Sequence, residues 1–451
     1  MTGPAAAGPG APSLGALLAP HLERLVALRR DVHAHPETAH VEHRTTAVVA
    51  QLLREAGLHP RLLPGTGLVC DVGEGERAVA LRADLDALPL ADETSSPFAS
   101  TVEGVAHACG HDVHTAVVAG AGVLLADLAR AGRLPGRVRL VFQPAEEATP
   151  GGALDVLAAG GVDGVERIFA VHCDPHTDVG RVGLRVGPIT SAFDRVLVRL
   201  RGPGGHTSRP HLTGDLVFAL GKVVTEVPAV LSRRLDPRAG VSMVWGRVSA
   251  GGAANAIPRL GVAEGTLRCV RADAWAAAGE MFTRVVEDVV EPYGVSAEVE
   301  LLRGVPPVVN DAVSTGLLEH AAATELGEGA AVPTDQSLGG EDFAWYLERL
   351  PGAMARLGTR TPGGPTHDLH RGDFEPDERA IAVGARLLAA TATTALHEPA
   401  QPVTAAGRAG GVPITERERT PTGPRRAPAG GPTVQPDAAR RSRQPHQEDA
   451  T

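Results

Sequence analysis

Apolar residues recur along this chain with two alternating periods. Leu14, Leu17, Leu18, His21, Leu22, Leu25 and Leu28 fall at threes and fours, which predicts one amphipathic helix lying on a larger body. It ends near His33-Ala34-His35-Pro36, since Pro36 disfavours helical backbone at His35. A second helix is predicted over 45–56 and stops at Gly57. Short β-branched runs then take over, from Gly67 to Val72, Ala78 to Ala83, Arg137 to Phe142 and Ile168 to Val171, with a long Ala/Val/Leu helix over 115–129 among them. Alternation of this kind predicts an α/β fold, a mostly parallel sheet with helices on both faces.

The style changes after residue 190. Strand (194–201), helix (215–235), strand (241–249), strand (259–269), helix (274–293) and strand (296–302) follow in turn, and this βαββαβ order is that of a ferredoxin-like sandwich. The first pattern then resumes through a helix over 314–326, a Gly339-Gly340-Glu341-Asp342-Phe343 turn, an apolar run at 354–357 and a helix over 377–396. The expected organisation is a main domain built from residues 13–190 and 304–397, interrupted by an inserted domain at 191–303. Residues 1–12 and the Pro/Gly/Arg-rich stretch 398–451 have little to bury and are expected to be disordered.

Composition narrows the function classes. At 451 residues and 43% hydrophobic content the chain can bury a sizeable core, yet no uninterrupted apolar run approaches the roughly 18 to 20 residues of a membrane helix. The first twenty residues lack a basic start and are broken by Pro4, Pro9 and Pro12, so the expected compartment is the cytoplasm. Cys70, Cys109, Cys173 and Cys269 are too scattered to read as a disulfide framework. A net charge of −10 speaks against nucleic acid as a partner.

Candidate chemistry gathers between His107 and Thr115, where His107-Ala108-Cys109-Gly110-His111-Asp112-Val113-His114 puts a thiol and three imidazoles in one short stretch. Thiolate and neutral imidazole suit borderline divalent ions, and Gly110 lets the backbone bend between Cys109 and His111. Taken alone, the stretch equally fits a small buried cysteine with histidines capping a helix. His33 and His35, at a helix end, read more readily as hydrogen-bonded structural groups. What tips the balance lies elsewhere: three apolar strands run into Asp84 and Asp86, into Glu146 and Glu147, and into His172. Ionisable residues repeated at strand ends point to one shared site at the sheet's C-terminal edge.

Six separated motifs, in this order, resemble the M20 metallopeptidases, and within them the amidohydrolases that include hippurate hydrolase, N-acyl-amino-acid hydrolases and auxin-conjugate hydrolases. They are Leu28-Arg29-Arg30 with His33 to Glu37, Arg82-Ala83-Asp84 with Ala87-Leu88-Pro89, His107 to His114, Phe142 to Glu147, Gly204-Gly205-His206, and Gly340-Glu341-Asp342-Phe343 followed by His370. The resemblance implies that Cys109, His111, Glu147, His172 and His370 hold two divalent ions per subunit, Mn2+ or Zn2+, with Cys109 bridging them. It implies Glu146 as general base and Asp84 as support for a ligand histidine. It further implies that the inserted domain makes a homodimer in which His206 reaches the partner's site to stabilise the oxyanion, and that Asn255 and Arg268 contact substrate. The implied reaction is hydrolysis of a linear, non-peptide amide bond in an N-acyl amino acid, with dipeptides or N-carbamoyl amides as the alternative substrates. Two other readings are a binding protein without turnover and a Cys109 nucleophile paired with His111. The chain departs from the pattern after His206, where Thr207-Ser208-Arg209-Pro210-His211 replaces smaller residues, and in the stretch beyond Leu396.

Overall fold

A computed structural model describes residues 12–398; the two expected disordered ends lie outside the described residues, apart from Pro12 and Glu398. The main sheet has eight strands in the spatial order Arg61–Leu62, Leu68–Val72, Arg137–Gln143, Ala78–Asp84, Arg167–Asp178, Gly352–Arg360, Val182–Leu184 and Ala331–Pro333. The four central strands, 137–143, 78–84, 167–178 and 352–360, are mutually parallel, while antiparallel pairs flank them. Every residue of Ala78–Asp84 is buried, as a strand covered on both faces requires.

Helices Leu22–Ala34, His111–Arg130 and Arg379–His397 cover one face, where Leu25, Val117 and Leu388 share a core. A second core containing Ile168, Phe343, Tyr346 and Met354 covers the other. Two helices, His111–Arg130 and Arg379–His397, are long and apolar enough to cross a membrane by length and composition; 89% and 61% of their apolar windows are buried within the protein, as core helices would be. The second sheet has the order Ser242–Ala250, Leu260–Cys269, Ala192–Arg201, Ser296–Val305, all antiparallel, with helices Leu216–Arg234 and Ala272–Val290 packed on it over a separate core. This is the strand order of the ferredoxin-like sandwich expected from the βαββαβ pattern.

Of the boundaries that differ from the sequence reading, three bear on the site or have a clear local reason. The first helix is interrupted: Leu14–Leu18 passes through a tight 3-10 turn at Ala19–His21 before Leu22–Ala34, because Pro20 has no N–H to continue the ladder. The strand expected to stop at Val171 runs on to Asp178, so His172 leaves a strand rather than a loop. The long helix begins at His111, four residues earlier than expected, which makes the second half of the Cys/His stretch its first turn. Gly110 permits this start. Its φ is 86°, and a Cβ there would sit 2.6 Å from the Cys173 sulfur, so both the turn and the close approach exclude other residues.

Candidate metal centre

Four elements aim side chains at one point. Cys109 precedes the Gly110 turn and His111 opens the helix, while His172 comes from the strand Arg167–Asp178. Glu146 and Glu147 follow the strand Arg137–Gln143, and His370 comes from the loop before the last helix. Ligand-capable atoms of Cys109, His111 and His172 lie within 4.8 Å of one another, and so do those of Cys109, Glu147 and His370. Cys109 belongs to both groups, which is the position of a shared ligand. Its sulfur is 3.6 Å from His172 Nε2, and His370 Nε2 is 3.2 Å from Glu147 Oε1.

Hydrogen bonds fix which nitrogen each imidazole presents. His111 Nδ1 lies 2.8 Å from the Asp86 carbonyl oxygen, and His172 Nδ1 lies 2.9 Å from that of Cys173; each leaves Nε2 for the site. His111 Nε2 is buried and has no hydrogen-bond partner. An orphaned buried nitrogen beside a thiol and carboxylates is the donor set expected of a divalent ion site. Two neighbouring imidazoles are engaged otherwise, while His107, whose ring nitrogens are both buried without a hydrogen-bond partner, belongs to no group of ligand-capable atoms among the described residues. His114 Nδ1 is 2.6 Å from Asp84 Oδ1 and its Nε2 accepts the Cys173 N–H, whereas His33 pairs with Asp112 and Asp92. Asp84, expected behind a ligand histidine, thus makes its hydrogen bond to His114 and stands 3.7 Å from His111 Nε2.

Asp86 does more than its place in the sequence suggests. Its two carboxylate oxygens accept the backbone N–H groups of Glu146 at 3.0 Å and Glu147 at 2.9 Å, so one residue orients the paired carboxylates and, through its carbonyl, His111. Glu42 secures the preceding residue, accepting the Ala145 N–H at 2.8 Å. Ala145 (φ 55°) and His370 (φ 59°) both occupy the left-handed region without being glycine, a local strain held by the surrounding contacts. Asp86→Ala is expected to lower metal affinity by about 10- to 100-fold, as removal of an outer-shell partner does, and a metal titration with a competing chelator reads this directly.

The site gathers negative charge. Asp84, Glu146, Glu341 and Asp342 surround Arg82, whose guanidinium reaches Asp84 Oδ2 at 2.6 Å, Asp342 Oδ1 at 2.8 Å and Glu341 Oε1 at 3.1 Å, and Asp86 and Glu147 add their carboxylates to the site. Burial, then the carboxylates of Glu341 and Glu147, raise the Glu146 pKa well above the ordinary carboxylate range. Burial alone would depress His111, but Asp84 and Asp86 outweigh it and lift its pKa to about 10. The Cys109 thiol is pushed up by burial and by Glu147 and Glu146, so a thiolate there needs cations beside it. The rise at His111 reports neighbouring negative charge, and carboxylates add to burial at Glu146 and Cys109; divalent ions would balance that charge.

A cavity of about 380 Å³ opens onto these groups, lined also by Phe193, Arg268, Gly340 and Arg356. Arg268 comes from the second sheet; its Nη1 donates to the Leu338 carbonyl at 2.6 Å and its guanidinium lies 4.8 Å from the Phe193 ring centroid. His206 and Asn255 are exposed and do not line the cavity. They are brought to each other instead: Gly205–His206 pairs with Ala256–Ile257, and the Thr207 N–H donates to the Asn255 carbonyl at 3.2 Å.

Residues 80–394 match the profile of Peptidase family M20/M25/M40. The chain belongs to the M20 family of metal-dependent hydrolases. It is 37% identical to the N-acetyl-L-cysteine deacetylase of Bacillus subtilis over 363 residues, covering 80% of this chain and 85% of that protein. A Rhodococcus jostii protein named "Putative glutamate–cysteine ligase 2-3" is 52% identical over 370 residues, which is 82% of this chain; this chain spans 46% of that longer relative, whose name therefore carries nothing over. Among solved structures, the Bacillus subtilis YXEP protein, a dinuclear metal binding peptidase of the M20 family, aligns with a TM-score of 0.74 at 35% identity, over 84% of this chain and 99% of that one.

Glu42 and Arg356 belong to the site but escape a reading of the M20 member's sequence, and so does the hold of Asp86 on Glu146 and Glu147, although Asp86 itself reads as a strand-end carboxylate. Arg356 had a signal, as an arginine inside the apolar strand Gly352–Arg360. Glu42 had none.

Proposed function

We propose that the protein hydrolyses the amide bond of an N-acyl amino acid, releasing a carboxylic acid and the free amino acid. The observation that carries this reading is Glu146 standing beside two donor groups that share Cys109, at the mouth of a cavity sized for a small molecule. The deacetylase name of the Bacillus subtilis relative supports the acyl-amino-acid class.

Cys109, His111, Glu147, His172 and His370 would hold two divalent ions, which when bound lower the pKa of water and polarise a carbonyl. Zinc and manganese are the ions we assign, the thiolate favouring zinc by its softness. Glu146 accepts the proton of the attacking water and returns it to the leaving nitrogen, a role suited to a carboxyl with a raised pKa. Asp86 orients Glu146 and Glu147 by accepting both of their backbone N–H groups. Arg268 binds the substrate carboxylate with the part of its fork not given to Leu338.

The second sheet is the inserted dimerisation domain in this reading. Its edge strand Ser242–Ala250 exposes Val244 and Val248, and His206 with Asn255 lies exposed on the same domain. His206 donates to the oxyanion in the partner's cavity, with Asn255 as its companion. His206→Ala is therefore expected to lower kcat about a hundredfold or more with metal content unchanged. Mixing it with Glu146→Gln protomers should restore part of the activity, since one site in each mixed dimer keeps both groups. Exchange of subunits without any recovery would rule out the role in trans.

A panel of N-acetyl and N-benzoyl amino acids, dipeptides and N-carbamoyl amino acids tests the reaction class. Release of free amino acid from the acylated substrates, abolished by chelator and restored by Mn2+ or Zn2+, is the expected result; cleavage confined to dipeptides or carbamoyl compounds would contradict it.

A further inference from the structure

Two arginines are buried in the main sheet, and the fold treats them differently. Arg82 is held by three carboxylates. Arg356 is 9% exposed, yet among the described residues no carboxylate or carbonyl hydrogen-bonds or ion-pairs with its guanidinium. It stands in register with His172 on the neighbouring parallel strand, so the two side chains leave the same face of the sheet, and both line the cavity. Gly183 on the other flank makes room: a Cβ there would lie 3.1 Å from that of Arg356. Glu341 and Asp174 act on the charge only beyond ion-pair reach, and burial lowers the Arg356 pKa below that of a free guanidinium. What remains accessible of this largely buried side chain faces the cavity, and a planar fork there without a carboxylate of its own is shaped for one from outside.

An N-acyl α-amino acid brings one carboxylate, which Arg268 is already placed to take. We propose that Arg356 binds a second one, so that the preferred substrates are dicarboxylates: an N-acylated acidic amino acid, or an amino acid acylated by a dicarboxylic acid. This rests on the amidohydrolase reading and narrows its substrate class.

Kinetics of the metal-loaded full chain on N-acetyl-L-alanine, N-acetyl-L-glutamate and N-succinyl-L-alanine test it. One of the two acidic substrates should exceed N-acetyl-L-alanine in kcat/KM by about tenfold or more, mainly through KM, and which of them does so tells the side-chain source from the acyl source. Arg356→Met should bring that ratio close to one, and Arg356→Lys should recover part of it. Calorimetry with glutarate supplies a readout without turnover: binding to the wild-type chain should be about tenfold or more tighter than to Arg356→Met. Equal kcat/KM for the three substrates, or an acidic preference that survives Arg356→Met, overturns the proposal and leaves Arg356 to Glu341, whose Oε2 is itself buried without a hydrogen-bond partner. If none of the three is cleaved, the amidohydrolase reading fails, and glutarate binding alone decides the role of Arg356.

Discussion

Glu146→Gln is expected to keep the wild-type metal content and to lose turnover by about 10²- to 10⁴-fold, the range over which a positioned acid–base group acts. Glutamine preserves the shape of the side chain and its backbone N–H still donates to Asp86, so the turn that also holds Glu147 should stay in place. What disappears is the ability to accept a proton from water and release it to the departing nitrogen. The surroundings of Glu146 favour that exchange, because burial and the nearby Glu341 and Glu147 carboxylates raise its pKa and make its protonated form accessible. Elemental analysis beside a rate assay distinguishes this outcome from general damage. Wild-type metal content with near wild-type activity would remove Glu146 from the chemistry.

Cys109→Ala should fail in a different way, losing metal and rate together. Cys109 is the residue common to the two donor groups, so its removal would take a ligand from both proposed ions at once and leave their mutual repulsion unscreened. The variant should bind fewer than two ions per chain and turn over at a small fraction of the wild-type rate. A variant that retains two ions would show that Cys109 does not bridge. The same experiment separates a ligand from a nucleophile: alkylation of the metal-loaded wild-type chain should be slow if the thiolate is coordinated, and fast with loss of activity if it is free to attack.

The parts of this fold that follow from periodicity were legible in the sequence. Strands such as Ala78–Asp84 are continuous apolar runs because both faces are covered, and the βαββαβ order of the second sheet is stated by its alternation of periods. The ligand set was a different matter. Nothing in the spacing of His107, Cys109, His111 and His114 chooses among the three imidazoles, and the choice came from resemblance. Hydrogen bonding and position separate them: His114 is taken by Asp84 and Cys173, His107 lies outside the donor groups, and His111 keeps an unpartnered Nε2 in a group with Cys109 and His172. Backbone conformation hid the rest. The early start of the helix at His111 depends on a left-handed Gly110, and the grip of Asp86 on Glu146 and Glu147 depends on a left-handed Ala145; neither leaves a mark in the pattern of apolar residues. His206 and Asn255 meet each other but not the cavity, so the role proposed for them would need a second subunit, which one chain's sequence cannot position.

The central claim is that two ions, sharing Cys109, are required for amide hydrolysis. Its most direct test is a titration of chelator-stripped protein with Mn2+ or Zn2+, following free amino acid released from an N-acetyl amino acid alongside the number of ions bound. The account predicts no hydrolysis by the stripped chain and activity that rises until two ions are bound per chain. Hydrolysis by the stripped chain, or full activity reached at one ion per chain, would contradict it.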